Sequence, residues 1–380
     1  MIICLYYIFI FDLMATYADS GVDISAGDKA SRIAYNYAKS TFSSRNGLKG
    51  TPLIQDGGFA GAIDMGDYLM ITNCDGVGTK IDIALEMQNF AGLGNDLLAM
   101  TADDAICVGA EVVSITNTID TNKIDPNEIE LMMKSLAEIC ITEKVLIPGG
   151  EIAELGNTLT KSIWNSSATG IVAKEKFITG ENIKAGQAVI SLQEFGFRSN
   201  GFSLVRHILN ENNIKFTDTC TEFRGEDAGK TWGDVLLKPC ILYHGALLEI
   251  LGRFGQERKI DVTGIVHVTG GGLAGNFFRI LKNKNLGAHL PNICPMTPAM
   301  NILQKLGNVA DREAYKTWNC GNGMLMICEQ GDAEKLILLL KEQNIVAQIA
   351  GEITDTPIIT HKNCGAFVTS ETEMLEFVGE

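Results

Sequence analysis

Residues 68–80, YLMITNCDGVGTK, decide the fold class of this chain. The apolar run that begins at Tyr68 predicts a buried strand, and Asp75–Gly78 predicts a glycine turn directly after it. A helical pattern follows over residues 95–108, and a second strand is predicted over residues 111–117. Because strands, loops and helices alternate in this way, the sequence predicts an α/β protein.

The same alternation continues toward the C-terminus. Asp125 is expected to cap a helix that ends near residue 141, since Pro and Glu follow at the first and third helical positions. A short strand over residues 145–147 is expected to end in the segment PGGE, residues 148–151. The longest helix is predicted over residues 235–254. Together these elements predict two α/β halves of similar size, with the break near residue 180.

We therefore expect an N-terminal domain over residues 14–180 and a C-terminal domain over residues 181–380. Residues 1–13 are mostly apolar but lack the basic start of a signal peptide. Their apolar run is also about half the roughly 20 residues that a membrane-spanning helix needs. Because Met14 follows at once, we expect translation to begin there and residues 1–13 to be a non-native N-terminal extension.

The composition argues against several classes of partner. Acidic residues outnumber basic ones by 46 to 31, the formal charge is −15, and no Lys/Arg run occurs, so neither nucleic acid nor a membrane is an expected partner. The ten cysteines lack a C-x-x-C spacing and lie mostly in apolar runs. They are typical of buried thiols in a reduced, cytoplasmic enzyme.

The first candidate site is residues 75–80, DGVGTK, where glycines allow successive amides to face an anion and Lys80 adds a positive charge. An ordinary glycine turn with a surface lysine explains the same hexapeptide equally well.

Carboxylates downstream suggest a cation. On the predicted helix over residues 95–108, Asp96 and Asp103 share a face. Asp103 and Asp104 lie near its C-terminus, where the helix dipole disfavours anions. A solvated acidic helix end is the alternative. If Asp75, Asp104 and Glu151 converge, they form an all-oxygen site suited to Mg²⁺ with nucleotide phosphates.

The second half offers two loops between a strand and a helix, residues 199–201 (SNG) and residues 269–272 (TGGG). Amides at helix N-termini bind phosphate, although each loop alone is equally well an ordinary turn. His267 precedes the second loop and is a candidate catalytic residue, but a buried core histidine is the commoner explanation. No serine-hydrolase pattern is present.

Taken in order, these motifs resemble the phosphoribosylformylglycinamidine cyclo-ligase (aminoimidazole ribonucleotide synthetase) family. The matching segments are residues 17–23, 57–61, 75–80, 94–100, 109–111, 149–154, 199–206, 267–272 and 319–324. The resemblance implies a homodimer formed through the N-terminal sheets. It also implies ATP and Mg²⁺ as cofactors, and ring closure of formylglycinamidine ribonucleotide to aminoimidazole ribonucleotide, ADP and phosphate.

The resemblance and the motifs together assign candidate roles. The nucleotide is expected at Gly57, Gly58, Gly61, Asp75, Gly76, Gly78, Thr79 and Lys80. The phosphoribosyl substrate is expected at Arg198, Ser199, Asn200, Gly201, Thr269, Gly270, Gly271 and Gly272. Catalytic roles are expected for Lys80 and His267, metal ligation for Asp75, Asp104 and Glu151, and a lid over ATP for residues 51–61.

Departures from the family pattern keep an alternative open. Arg198 stands where the family usually has His, Asp103 replaces a usual Asn, and Ile152 replaces a Thr. A guanidinium cannot act as a general base near neutral pH. The alternative is a non-catalytic or differently specific ATP-binding paralogue. Selenophosphate synthetase fits poorly, because no cysteine lies between residues 5 and 73.

Overall fold

The computed structural model describes residues 16, 24–53, 58–282, 284–361, 365–369 and 374–376. The first half mixes strands and helices, as predicted. Its elements are α1 (Ile24–Ser40), β1 (Thr51–Leu53), β2 (Gly61–Asp64), β3 (Leu69–Gly76), α2 (Lys80–Met87), α3 (Leu93–Ile106), β4 (Glu111–Thr121), α4 (Pro126–Glu143), β5 (Leu146–Glu154) and β6 (Ile163–Val172).

These strands form a first sheet in the order β1-β2-β3-β6-β4-β5. Its neighbours pair antiparallel except β4 and β5, which are parallel. Helix α3 packs against β3, β4 and β6 on one face. On the opposite face, polar residues such as Thr72, Thr116 and Asn165 are exposed, so that face is open within the described chain.

The second half builds a second, larger sheet. Its elements are β7 (Ala188–Gln193), α5 (Phe202–Glu211), α6 (Trp232–Leu236), α7 (His244–Leu251), β8 (Gly264–His267), α8 (Gly272–Leu281), β9 (Gly287–Leu290), α9 (Pro298–Leu306), α10 (Asp311–Thr317), β10 (Asn322–Cys328), α11 (Ala333–Glu342), β11 (Ala347–Thr354), β12 (Ile358–His361), β13 (Gly365–Thr369) and β14 (Met374–Glu376). The strand order is β14-β13-β12-β9-β11-β7-β10-β8.

The α/β class is confirmed, and several local predictions hold. Asp125 is the N-cap of α4, and its carboxylate accepts the backbone N–H of Asn127 at 2.8 Å. The first sheet ends at Val172 and the second begins at Ala188. The boundary near residue 180 falls in the connection between them and stays a prediction. Residues 1–13 lie outside the described residues, and no helix within those is long and apolar enough to cross a membrane.

The predicted long helix over residues 235–254 is wrong. The chain forms α6 and α7 instead, separated by residues 237–243. Pro239 lies in this connection, and a proline within a helix removes one hydrogen bond and clashes with the preceding turn. In the described part of the chain the longest helix is α4, with 18 residues.

Two predicted turns are strand. Asp75 and Gly76 continue β3 and pair with Ser166 and Asn165 of β6. Likewise the segment PGGE, residues 148–151, lies inside β5 rather than after it. The long partner strands extend the pairing, and an edge strand tolerates a proline because its outer side needs no N–H donor.

Helix α3 places the two halves against each other. Its apolar residues, such as Leu97, Leu98 and Ile106, are buried in the core. Besides the first sheet, α3 contacts α7 and β8 of the second half. Polar residues on α3 therefore lie where the two halves meet.

Candidate active site

The centre of the candidate site is a hydrogen bond between the two halves. His267, the last residue of β8, is fully buried, and its Nδ1 lies 2.7 Å from Oδ1 of Asp104 on α3. The Asp104 side chain is 19% exposed. His267 Nε2 is buried and has no hydrogen-bond partner among the described residues. The imidazole thus has one nitrogen occupied by protein and one left for a ligand.

Burial sets the protonation of this pair. It raises the pKa of Asp104 to about 7, against the opposing charges of Arg279 and Arg198. Burial also lowers the pKa of His267 well below its usual value, and the Arg198 charge lowers it further. His267 is therefore neutral at pH 7. When Asp104 is ionised, Nδ1–H donates to it, and the Nε2 lone pair can accept a proton.

Asp75 joins Asp104 on the inner side of the first sheet. The pKa of Asp75 is raised to about 6, first by the partial loss of solvent around its carboxyl group and further by the Asp104 charge. The backbone N–H of Gly76 donates to Asp75 Oδ1 at 2.7 Å. Asp75 and Gly76 also line an open groove of about 440 Å³ at the end of β3, whose other lining residues include Thr116 and Asn165 of the polar face. A carboxylate whose pKa is raised by a neighbouring carboxylate favours a cation beside it.

Glu151 does not join them. Glu151 pairs with Thr118 of β4. Across the next two strands, Thr118 pairs with Asn165 of β6, and Asn165 pairs with Gly76 of β3. Residues paired across a sheet share a face, and Asp75, next to Gly76, points to the other one. Within the described residues no three His, Cys, Asp or Glu side chains are placed to hold a metal ion. The three-carboxylate convergence is therefore wrong within one chain.

The two predicted phosphate loops precede helices as expected. Gly201 and Gly271 are the N-caps of α5 and α8, with φ of 75° and 92°. The Asn276 side-chain amide donates to the carbonyl oxygens of Gly270 at 3.2 Å and Gly272 at 2.8 Å. This contact holds the second loop in shape, and within the loop the N–H of Gly272 donates to the Thr269 carbonyl oxygen at 3.0 Å.

Several buried polar atoms beside these loops have no partner among the described residues. They are Ser199 Oγ, Asn200 Nδ2, Thr317 Oγ1 and His267 Nε2. Buried polar groups are almost always hydrogen-bonded, and each exception calls for an explanation. A polar ligand that fills this region would satisfy them.

Lys80 does not face the candidate site. Its Nζ lies 2.5 Å from Asp96 Oδ2, both side chains are fully buried, and Nζ also donates to the Lys238 carbonyl oxygen at 2.8 Å. The expectation that Lys80 presents a charge to phosphate is therefore not met. The apolar surroundings explain the pairing, since a buried ammonium needs a counter-charge and acceptors.

Arg198 is also fully buried. Its Nη2 donates to Asp103 Oδ2 at 2.6 Å, and its Nη1 donates to Glu194 Oε2 at 3.0 Å. The sequence had suggested that Arg198 contacts a substrate phosphate. With these partners, however, its guanidinium is not presented to one. Asp96 and Asp103 share a face of α3, as predicted. Asp96 pairs with Lys80, and Asp103 pairs with Arg198.

The glycine-rich segment reaches the site through Arg279. The guanidinium of Arg279 lies 4.1 Å from the ring centroid of Phe59, and Nη2 donates to the Gly58 carbonyl oxygen at 2.9 Å. Gly61 pairs with Thr72 as part of β2. Gly57 lies outside the described residues, and the proposed lid remains a prediction.

Sequence reasoning missed some of these residues. No role was predicted for Arg279 or for Glu194. A carboxylate at the end of the apolar strand β7, four residues before an arginine, was the available signal for Glu194. No local pattern indicates that Asn73 Nδ2 donates to the Thr101 carbonyl oxygen at 2.8 Å.

Comparisons with known proteins agree with the motif order. Residues 57–172 match the family described as AIR synthase related protein, N-terminal domain, and residues 184–362 match the C-terminal domain of the same description. A Methanococcus vannielii protein named phosphoribosylformylglycinamidine cyclo-ligase is 34% identical over 370 residues, covering 97% of this chain and 99% of its own. The chain belongs to the phosphoribosylformylglycinamidine cyclo-ligase family. The resemblance inferred from the motifs is confirmed.

Further similarities extend the comparison. A cyclo-ligase family protein of Methanocaldococcus jannaschii is 33% identical over 346 residues, covering 90% of this chain and 93% of its own. A solved structure of the hydrogenase maturation protein HypE in complex with ATP superposes with a TM-score of 0.54 at 14% identity, covering 82% of this chain and 85% of that one. At this identity the superposition shows a common fold.

Two departures from the usual cyclo-ligase pattern meet in space. Arg198, where the resemblance leads us to expect His, donates to Asp103, where it leads us to expect Asn. The two substitutions therefore form one ion pair rather than two separate losses.

Proposed function

We infer that this chain is an enzyme that uses ATP to close the imidazole ring of formylglycinamidine ribonucleotide, giving aminoimidazole ribonucleotide, ADP and phosphate. One observation carries this conclusion. Curated relatives that bear the cyclo-ligase name are about one third identical to this chain over nearly its full length. The reaction belongs to purine biosynthesis. No observation favours a non-catalytic paralogue.

The chemistry requires activation of a poor leaving group. The formyl oxygen attacks the γ-phosphorus of ATP, ADP leaves, and the amide N–H proton is lost. The amidine nitrogen that carries the ribose then attacks the activated carbon, loses its proton, and phosphate departs with the former formyl oxygen. Catalysis of this kind depends on positioning and on stabilising charge.

His267 fits the role of a proton acceptor in this scheme. It is neutral at pH 7, Asp104 holds its Nδ1, and Nε2 is left without a protein partner in the described chain. The lowered pKa of His267 keeps the imidazole unprotonated but weakens it as a base, so the role depends on ionised Asp104, whose negative charge favours the protonated imidazole. We propose that Nε2 accepts the proton of the attacking amidine nitrogen.

The loops that precede α5 and α8 fit the phosphoribosyl group. Their backbone amides lie at helix N-termini, where an anion is stabilised by the helix dipole. Ser199 Oγ and Asn200 Nδ2 supply further unsatisfied polar atoms. We propose that residues 199–201 and 269–272 bind this substrate.

ATP is proposed to lie along the groove that begins at Asp75, next to residues 76–79. Two carboxylates near this groove fit a magnesium ion. Mg²⁺ commonly takes one or two carboxylates and completes its shell with phosphate oxygens and water. Asp75 and Asp104, whose pKa values are raised to about 6 and about 7, would supply those carboxylates. Bound Mg²⁺ would neutralise negative charge on the nucleotide.

A homodimer through the first sheet is proposed as well. The polar face of that sheet carries a second open groove of about 410 Å³, which Glu151 lines. In such a dimer Glu151 would lie at the interface instead of beside Asp75. Sedimentation of the purified protein distinguishes a dimer from a monomer.

Turnover tests the main conclusion. Purified protein, Mg-ATP and formylglycinamidine ribonucleotide should give a product lighter by one water together with an equal amount of ADP, both followed by mass spectrometry. Reactions with a non-hydrolysable ATP analogue provide the control. Calorimetric ATP binding without any ring-closed product would overturn the cyclo-ligase assignment and favour the binding-only paralogue.

A further inference from the structure

Arg198 lies at the point where the two halves of the molecule are tied together. Its guanidinium bridges Asp103, from the first half, and Glu194, from the second, and Nη1 also donates to the Ile241 carbonyl oxygen at 3.0 Å. All three charged side chains are fully buried. A guanidinium makes these contacts through separate nitrogens in one fixed plane, whereas an ammonium has three donors on a single nitrogen.

The same carboxylates hold the connection between α6 and α7. We call residues 238–244, which are most of this connection and the first residue of α7, the strap. Asp103 Oδ1 accepts the backbone N–H groups of Tyr243 at 3.0 Å and His244 at 2.9 Å. Glu194 accepts the N–H of Ile241, with Oε2 at 3.2 Å. The strap therefore depends on carboxylates whose negative charge Arg198 offsets.

Arg198 also determines the start of the loop that we assign to the substrate. It directly precedes Ser199, and its φ is +57°, a left-handed conformation that is uncommon for a side chain of this size. Such a conformation persists where surrounding contacts determine it. Here the contacts to Asp103 and Glu194 supply that constraint, so the backbone entering residues 199–201 is held by the ion pair.

At the other end of the ion pair, Asp103 directly precedes Asp104, which contacts His267. A single side-chain contact thus connects the loop at residues 199–201 to the Asp104–His267 pair across the two halves. We propose that Arg198 is a positioning residue, which through Asp103 holds the substrate loop in place relative to Asp104 and His267. This inference rests on the proposed function.

The sharpest variant is Asp103→Asn. The amide oxygen can still accept the N–H groups of Tyr243 and His244, while the amide nitrogen replaces the oxygen that faces Arg198. The matched control is Glu111→Gln. Glu111 likewise joins the halves, since it accepts Arg253 Nη1 at 2.8 Å through one oxygen and the N–H of Phe254 at 2.9 Å through the other. Glu111 is not part of the candidate site.

We expect Asp103→Asn to lower kcat at least tenfold and to raise the KM for formylglycinamidine ribonucleotide, because small displacements of reacting groups reduce the rate strongly. The KM for ATP should change less than twofold. Arg198→Lys, which keeps the charge but loses the fork, should lie between wild type and Asp103→Asn. The double variant that combines Asp103→Asn with Arg198→Lys should have a kcat no lower than that of Asp103→Asn alone. Glu111→Gln should keep kcat within twofold.

Amide hydrogen exchange gives a readout that does not depend on turnover. Peptides that contain residues 199–201 should exchange at least tenfold faster in Asp103→Asn and Arg198→Lys than in the wild type or in Glu111→Gln. If the wild type does not turn over the substrate, the proposed function fails while this comparison still decides the positioning role. Unchanged exchange at residues 199–201 overturns the inference, and so does a kcat for Asp103→Asn that stays within twofold of wild type.

Discussion

His267 Nδ1 and Asp104 Oδ1 lie 2.7 Å apart, and this hydrogen bond joins the end of β8 to α3. When Asp104 is ionised it accepts Nδ1–H, so the lone pair of a neutral His267 is then at Nε2, which has no partner in the described chain. The molecule contains a second histidine–carboxylate pair of this kind, which makes a matched comparison possible.

We predict that His267→Asn lowers kcat by roughly 10²–10⁴-fold, the usual contribution of a general base. His244→Asn is the control, because His244 is also fully buried and its Nδ1 lies 3.3 Å from Glu143 Oε2, but its Nε2 accepts the N–H of Val112. His244→Asn should lower thermal stability more than kcat. Steady-state kinetics and thermal melts check both variants, and equal losses of kcat would refute a catalytic His267.

The raised pKa of Asp104, about 7, predicts a pH-dependent stability. Between about pH 4 and pH 7 the folded protein binds this proton more tightly than the unfolded chain, so the free energy of unfolding falls as the pH rises through this range. Asp104→Asn should therefore raise the melting temperature by a few degrees at pH 8 and by less at pH 5. Mg²⁺ should likewise raise the melting temperature of the wild type.

Asp64→Asn serves as the control of opposite sign. A hydrogen bond from Lys174 lowers the pKa of Asp64, so ionised Asp64 favours the folded state, and its loss should lower stability slightly at pH 8. Melting curves at the two pH values are the measurement. A destabilised Asp104→Asn at pH 8 would contradict the assigned cause.

Lys80 should matter for stability rather than for ATP binding. Removing one partner of a buried ion pair leaves an uncompensated charge, so Lys80→Met should cost about 3–5 kcal/mol of unfolding free energy. Lys80→Met combined with Asp96→Leu should recover much of that loss. Chemical denaturation measures both. A soluble Lys80→Met protein with normal stability and a tenfold higher KM for ATP would instead restore the role expected from the sequence.

The contrast between Lys80 and Asp125 explains how far the sequence predicts this molecule. Local patterns predicted the N-cap at Asp125 and the elements α3, α4, β3 and β4, because capping and hydrophobic periodicity act within a few residues. The partner of Lys80 lies 16 residues away on another helix, and Asp103, one of the two partners of Arg198, lies 95 residues away. Side-chain direction at such distances depends on packing. The motifs therefore located the site without indicating which charges face it.

The last prediction concerns the loop before α8. Gly272 has φ +67°, and a Cβ there would lie 1.7 Å from the Tyr315 carbonyl oxygen, whereas a Cβ at Gly275 would meet no atom within 4 Å. Gly272→Ala should therefore displace the loop, lowering stability and raising the KM for the phosphoribosyl substrate at least tenfold. Gly275→Ala, inside the helix, should stabilise the protein by about 0.5–1 kcal/mol with unchanged kinetics. Both follow from melts and steady-state kinetics. Since both residues lie on α8 but differ in φ and in the space around Cβ, similar effects from the two substitutions would contradict the loop geometry described above.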